Sequence, residues 1–319
     1  MSPSRRTFLA ATTAGVLTAG GALGVSPLSA AAAESSPVGF ASLNGGTAGG
    51  SSSTVVTVTS ASALKSALSS GTSQTVRISG LITISGMYRV ASHKTIIGVG
   101  ASSGVTGGGF TLNGVKNVII RNLVFKNAGD DSINLQDGTT NVWIDHNDLS
   151  NGYDGLIDIK RGSDFVTVSW NHLHHHDKSM LLGHSDDNGA QDTGHLRVTY
   201  VHNWFDGTNQ RHPRVRFANP VHVLNNYYSN IGAYGVASTE NAGVFVERNY
   251  FENVDHPTVT QTGDSDPGNL KVLNNYRVNS GTEEVRNGGS VAAIPYPYTP
   301  EANSSVKATV VAGAGTGKI

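Results

Sequence analysis

Cysteine is absent from the 319 residues, so no disulfide can brace this fold. Charge is also scarce, with 22 Lys and Arg against 23 Asp and Glu, a net charge of −1. A chain so balanced is no polycation, which excludes nucleic-acid binding driven by overall charge; any affinity for anions has to come from a local patch or a bound cation. Runs of strong helix formers are few, and the middle of the chain is rich instead in Gly, Asn, Thr and Val. After the N-terminal segment no second long apolar span occurs. The expected product is therefore soluble and monomeric, without membrane contact, and held together by its core alone.

What is present begins with Ser4-Arg-Arg-Thr-Phe-Leu9, an apolar stretch, and Ala30-Ala-Ala-Ala33. This is the order of an export signal: charged residues, an apolar core and a small-residue cleavage site. The paired Arg5 and Arg6 match the twin-arginine type. A transmembrane anchor fits less well, because Gly, Thr and Ser interrupt the run. Residues 1–33 are thus read as a signal peptide and the mature protein as secreted. Its removal leaves 20 basic and 23 acidic residues, a net charge of −3.

The rest of the chain carries a repeat. Val118-Ile-Ile-Arg-Asn122, Val142-Trp-Ile-Asp-His-Asn147 and Val166-Thr-Val-Ser-Trp-Asn171 are followed by four similar units ending at Asn203, Asn226, Asn249 and Asn275. Successive asparagines are 25, 24, 32, 23, 23 and 26 residues apart. Each unit is a short alternating apolar run, then Asn, then usually an aromatic residue or Leu two positions on. Alternation signals a strand with one face buried. Asn at its end tolerates left-handed backbone and can hydrogen-bond neighbouring peptides, so stacked asparagines can form a ladder. A coil of about 23 residues has room for three short strands and three turns, which matches an all-β parallel β-helix. The 32-residue interval hides an insertion near Gly183–Gly194, expected to interrupt the stacking and to form a loop beside Lys178. Ser60-Ala-Ser-Ala-Leu-Lys-Ser-Ala-Leu68 reads as a helix with a Ser N-cap that plugs the first coil. Glu301–Val311 reads as a second helix. The domain layout is residues 34–53 as a Gly/Ser-rich segment, loosely held at its start, and 54–319 as the solenoid.

Charged residues gather at particular places on this frame. Arg211-His-Pro-Arg-Val-Arg216 sets three permanent cations in six residues at the edge of a strand unit, a pattern suited to a polyanion. Asp130-Asp131 and Asp154-Gly-Leu-Ile-Asp158 lie in adjacent coils, where equivalent points are about 4.8 Å apart. Carboxylates that close repel unless neutralised, and oxygen ligands favour Ca²⁺ or Mg²⁺. The competing reading of Asp154-Gly155 is a plain turn. The His172–His176 run tempts a zinc assignment, but polar turn residues are expected just after a strand-end asparagine. Asp145-His146 reads as a packed structural pair.

Taken in order, Asn141-Val-Trp-Ile-Asp-His146, Asp154-Gly-Leu-Ile-Asp-Ile-Lys160, Val166-Thr-Val-Ser169 and Arg211-His-Pro-Arg-Val-Arg216 resemble the pectate lyases of the pectate/pectin lyase superfamily. The likeness spans nearly the whole mature chain. It implies a right-handed parallel β-helix that cleaves polygalacturonate by Ca²⁺-dependent β-elimination. It implies Asp131, Asp154 and Asp158 as calcium ligands, Lys178 and Arg216 as substrate-binding residues and Arg211 as the base. One acid of the family's usual Asp-x-Asp pair is Gly129 here, and Arg214 falls at a free position of the pattern. An arginine base is demanding, since guanidinium ordinarily keeps its proton to above about pH 12; neighbouring cations and the alkaline conditions the family prefers ease this. Three other activities compete: a pectin lyase acting on esterified polymer, a hydrolytic polygalacturonase, and a non-catalytic carbohydrate-binding β-helix.

Overall fold

A computed structural model describes residues 34–319. The proposed signal peptide lies outside the described residues. The chain winds into a right-handed parallel β-helix. One face is a ten-stranded parallel sheet running from Val55–Val58 through Thr140–Asp145 and Val198–Val201 to Asn269–Leu273. The other strands form two arms joined by the long strand Gly104–Asn113, which pairs with both Val124–Lys126 and Ile133–Gln136. One arm continues through Asp148–Ser150, His172–His174, Trp204–Asp206, Tyr227–Ile231 and Tyr250–Val254. The second continues through Gly155–Ile159, Lys178–Leu182, Arg214–Arg216 and Val236–Thr239, and it carries the site.

The interior follows from alternation. Val142, Ile144, Val166, Val168, Val198 and Tyr200 point inward and are fully buried. Two positions after Asn203, Asn226 and Asn249, Phe205, Tyr228 and Phe251 stack with centroids 4.9 and 4.4 Å apart. Burial of each such side chain contributes about 1.5–3 kcal/mol.

The asparagine ladder is continuous from Asn147 to Asn275. Asn147 Nδ2 donates to Asn171 Oδ1 at 2.9 Å, and the Asn171–Asn203, Asn203–Asn226, Asn226–Asn249 and Asn249–Asn275 steps are each 3.0 Å. The 32-residue interval does not interrupt it. The insertion leaves at another corner, so the Asn171–Asn203 step is as close as the rest. Asn122 is the member that falls out: Leu123, not Asn122, donates its backbone N–H to Asn147 Oδ1. The left-handed residue is also not the ladder asparagine but the one before it. His146, Trp170, His202, Asn225, Arg248 and Asn274 have φ between 51° and 56°, and Asn122 (φ 54°) stands in that place in its own coil. The ladder amide holds its neighbour in this otherwise unfavourable region by fixing the peptides on both sides.

The N-terminal end is closed as expected. Ser60 caps the helix Ala61–Ser69 by accepting from Ala63 N–H, and Leu64 and Leu68 plug the first coil. The second helix is shorter than its sequence pattern, Val306–Gly313, and rests Val306 and Val310 on Tyr227. From Val38 onward the Gly/Ser-rich segment is docked along the outside of the ten-stranded sheet. Phe40 N–H donates to Thr199, Ala41 to Thr167, Asn44 Nδ2 to Asn141, Ala48 to Asn117, Gly50 to Thr95 and Ser51 to Ser73. Among the described residues no helix is long and apolar enough to cross a membrane.

Candidate active site

Parallel register brings the charged residues together. Gly155 pairs with Lys178, and Lys178 bridges to Gln210, so Asp154, Lys178 and Arg211 come from three consecutive coils at one corner of the site arm. Asp131 reaches the same corner from the coil before. Its Oδ1 accepts the Gly155 N–H at 2.9 Å.

Carboxylate oxygens of Asp130, Asp131 and Asp154 lie within 4.8 Å of one another. Asp158 stands deeper, 2% exposed, and faces Asp131 across Gly155. A Cβ on Gly155 would lie 2.0 Å from Asp158 Oδ1 and 3.0 Å from Asp131 Oδ1. Gly155 therefore starts a strand and makes room for two acids; the Asp154-Gly155 pair is not simply a turn signal. Lys160 Nζ sits between the acids, 3.2 Å from Asp131 Oδ2 and 3.9 Å from Asp158 Oδ2.

Burial pushes the Asp158 carboxyl up, and the nearby Asp131 adds to this against Lys160 and Arg211. Burial likewise raises Asp131, with Lys160 and the Gly155 N–H opposing. Asp154 behaves differently. Burial raises it, but the Lys178 hydrogen bond, at 3.0 Å, and the charges of Lys178 and Arg211 outweigh burial, and the net shift is downward. The donor set is oxygen only, and its two buried carboxyls are under-compensated. A hard dication fits it, because it would restore the charge that burial opposes.

Arg211 follows directly. Its backbone is left-handed, φ 66°, and its carbonyl is fixed by Met180 N–H at 2.7 Å. Its Nε is buried without a hydrogen-bond partner, and among the described residues it forms no ion pair. Beneath it His212 is fully buried between Thr208 Oγ1 and the Tyr234 carbonyl, and burial pulls its pKa down to about 4.

Arg216 is placed apart from this corner. It stacks over Gly183, donates to the Gly183 carbonyl at 3.1 Å and pairs with Asp186. Asp186 belongs to the insertion, which does border the site, and Ser265 holds it with bonds of 2.8 and 2.9 Å. Arg214 turns to the Thr262 carbonyl and Ser265 Oγ, at 3.2 and 2.7 Å. Asp145 and His146 are buried with Arg121 and Ser169 in a structural cluster, as their sequence suggested. The residues that sequence reasoning passed over are Lys160, Gly155 and Asp186. The first two lie inside the quoted Asp154–Lys160 motif, whereas nothing local marks Asp186.

Comparison with known proteins gives a consistent result. A family model described as pectate lyase matches residues 5–319. A relative called probable pectate lyase B, from Aspergillus terreus, is 38% identical over 299 residues, covering 90% of this chain and 91% of its own. A pectate trisaccharide-lyase of Bacillus licheniformis is 36% identical over 300 residues, covering 88% and 86%. A crystal structure of a pectate lyase from Bacillus sp. N165 in complex with trigalacturonate superposes with a TM-score of 0.80 at 30% identity, covering 88% of this chain and 99% of that one.

Proposed function

The chain belongs to the pectate lyase family and is a lyase acting on polysaccharide, and from that premise we propose that it cleaves α-1,4-linked polygalacturonate by Ca²⁺-dependent β-elimination, releasing unsaturated oligogalacturonides. The observation that carries the reading is Arg211: a guanidinium with a buried, unpartnered Nε, held by strained backbone beside an acidic cluster. A cation whose donors are left free is ready for a group that arrives with the substrate.

Asp131, Asp154 and Asp158 would hold the Ca²⁺, with Asp130 as a further donor at the rim. Ca²⁺ there would withdraw electron density from the uronate carboxylate and acidify the C5 proton. Arg211 accepts that proton at a guanidine nitrogen. The C5–H electron pair becomes the C4–C5 double bond, and the C4–O glycosidic bond breaks with its electrons, leaving an alkoxide on the departing sugar that takes a proton from solvent water. Lys178, at 3.0 Å from Asp154, would add positive charge where the substrate carboxylate binds; Arg216, paired with Asp186 away from that corner, would have to leave Asp186 to join it. Export through residues 1–33 as a soluble monomer completes the reading.

The test is ultraviolet absorbance of the new double bond on polygalacturonate and on esterified pectin, with and without a chelator. Loss of the signal in chelator and recovery with added Ca²⁺ are expected. Full turnover in excess chelator would remove the calcium assignment.

A further inference from the structure

Around the corner from the acidic groove, the first half of the histidine run does not lie in a turn. His172–His174 is a strand, and its first and third residues project from the same outer face. Asp148 lies in the preceding coil, paired with His172, and Asp206 lies in the following coil, paired with His174. The Asp148 carboxylate receives both imidazoles: Oδ2 is 3.2 Å from His172 Nδ1 and Oδ1 is 3.1 Å from His174 Nε2. The two rings stack with centroids 4.4 Å apart. We propose that Asp148, His172 and His174 form a binding site for one transition-metal dication of the zinc class.

Geometry carries this. One ligand atom from each of the three residues lies within 4.8 Å of the others. Tetrahedral zinc with bonds of about 2.0–2.1 Å holds its ligand atoms about 3.3 Å apart. The two carboxylate–imidazole distances, each to a different oxygen of Asp148, are close to that spacing, and an ion would replace the two hydrogen bonds. The outer shell is also in place. The nitrogen of His172 that faces away from Asp148 lies 3.3 Å from Asp206 Oδ2, and that of His174 lies 2.6 Å from His175 Nδ1. A carboxylate behind a ligating imidazole orients the ring and raises its basicity. His172 is further fixed by stacking on Trp204 at 4.3 Å. The ligand side chains are 19–27% exposed, so an ion can reach them from solvent. An imidazole and thiolate-free oxygen set selects zinc, copper or nickel over Ca²⁺. Bound there, the ion adds a side-chain link on the outer face of coils already joined by strand pairing, the ladder and the core.

The test uses the mature, tag-free protein, stripped with chelator and then saturated with Ca²⁺ so that the acidic groove is taken. Zinc chloride is titrated in by calorimetry. About one ion per chain, bound at micromolar concentration or tighter, and a melting midpoint raised by a few degrees are expected. H172Q/H174Q should lose the binding while retaining calcium-dependent turnover of polygalacturonate. D206N, which removes only the outer carboxylate, should weaken binding by about 10–100-fold. If the double variant fails to fold, D206N and the visible spectrum of bound cobalt(II), which distinguishes tetrahedral coordination, decide in its place. Absence of zinc binding by the wild type, or equal binding by the double variant, overturns the proposal. An octahedral cobalt spectrum unaffected by D206N does the same.

Discussion

Two corners of the same coil handle buried polar groups in opposite ways. At the ladder corner each asparagine is neutral and saturated. Asn226 donates to Asn249 and to the Tyr200 carbonyl, while its oxygen accepts from the backbone and side chain of Asn203. At the site corner Asp131 and Asp158 are buried with carboxyls that burial drives up, and Arg211 Nε and the Tyr234 hydroxyl have no partner. Amides can be buried coil after coil because each supplies what the next requires. Charges cannot, and where the solenoid buries them it leaves bonds for a ligand to complete.

The sharpest way to break this contrast is Arg211→Lys. It preserves charge but loses the planar fork, so turnover at saturating substrate should fall about 10²–10⁴-fold, a barrier increase of about 3–5 kcal/mol, with circular dichroism unchanged. Retention of more than about a tenth of wild-type turnover would dismiss Arg211 as the base. The ladder should answer in the opposite sense. Asn226→Ala strands donors and acceptors on both neighbouring coils and should cost about 2–4 kcal/mol in urea unfolding, leaving the rate per folded molecule unchanged. A cost under about 1 kcal/mol would mean that the ladder is ornament.

Acid distinguishes the corners as well, because amides have no proton to gain. His212 has a folded pKa of about 4 against an ordinary 6.5. Between those values the unfolded chain binds the proton and the folded chain does not. Its contribution is therefore complete above about pH 6.5 and is lost as pH falls toward 4, by up to about 3 kcal/mol. The stability difference between wild type and His212→Gln should shrink over that window, and a pH-independent difference would contradict the burial argument. Gly155→Ala should push Asp158 and Asp131 apart, raise the calcium requirement and lower activity at least about tenfold. Normal calcium dependence in that variant would show that the two acids need no such proximity. The smallest effect is expected for Arg214→Ala. Its guanidinium is spent on Thr262 and Ser265, so turnover should stay within about fivefold of wild type, about 1 kcal/mol. A loss as large as that of Arg211→Lys would give Arg214 a direct role.

The frame was legible because one residue type does the same task in every coil. Asn recurs where a side chain must both donate and accept, and from Asn147 to Asn249 the Leu or aromatic residue two positions later points inward. The exceptions have local causes. Asn122 is one residue out of step, and an interval of 25 rather than 24 is too small a signal to show it. The insertion lengthens the coil without lengthening the ladder, since stacking depends on the corner and not on the path between corners. Val306–Gly313 starts later than its apolar pattern because the chain first anchors through Glu301 N–H on Asn225. In the site, Asp131, Asp154 and Arg211 were readable as charged types on neighbouring coils, and Lys178 only through the family resemblance. The depth of Asp158, the space left by Gly155 and the Asp186–Arg216 pair were not, because they depend on which way a side chain leaves the sheet. For the same reason a turn was expected at His172 and His174, where the chain forms a strand.

The docked segment that begins at Val38 has a further consequence, for the order in which the molecule is made. Its bonds reach partners 22, 45, 69, 97, 126 and 159 residues ahead, from Ser51 back to Phe40. Each step adds about one coil. The segment can therefore close like a zip, near end first, with every newly wound coil offering the next tooth. Each closure adds little entropic cost beyond the last, because that cost grows only with the logarithm of the loop. Phe40 settles only when the coil bearing Thr199 exists, so the residues of this segment that are synthesised first are the last of the segment to take their places.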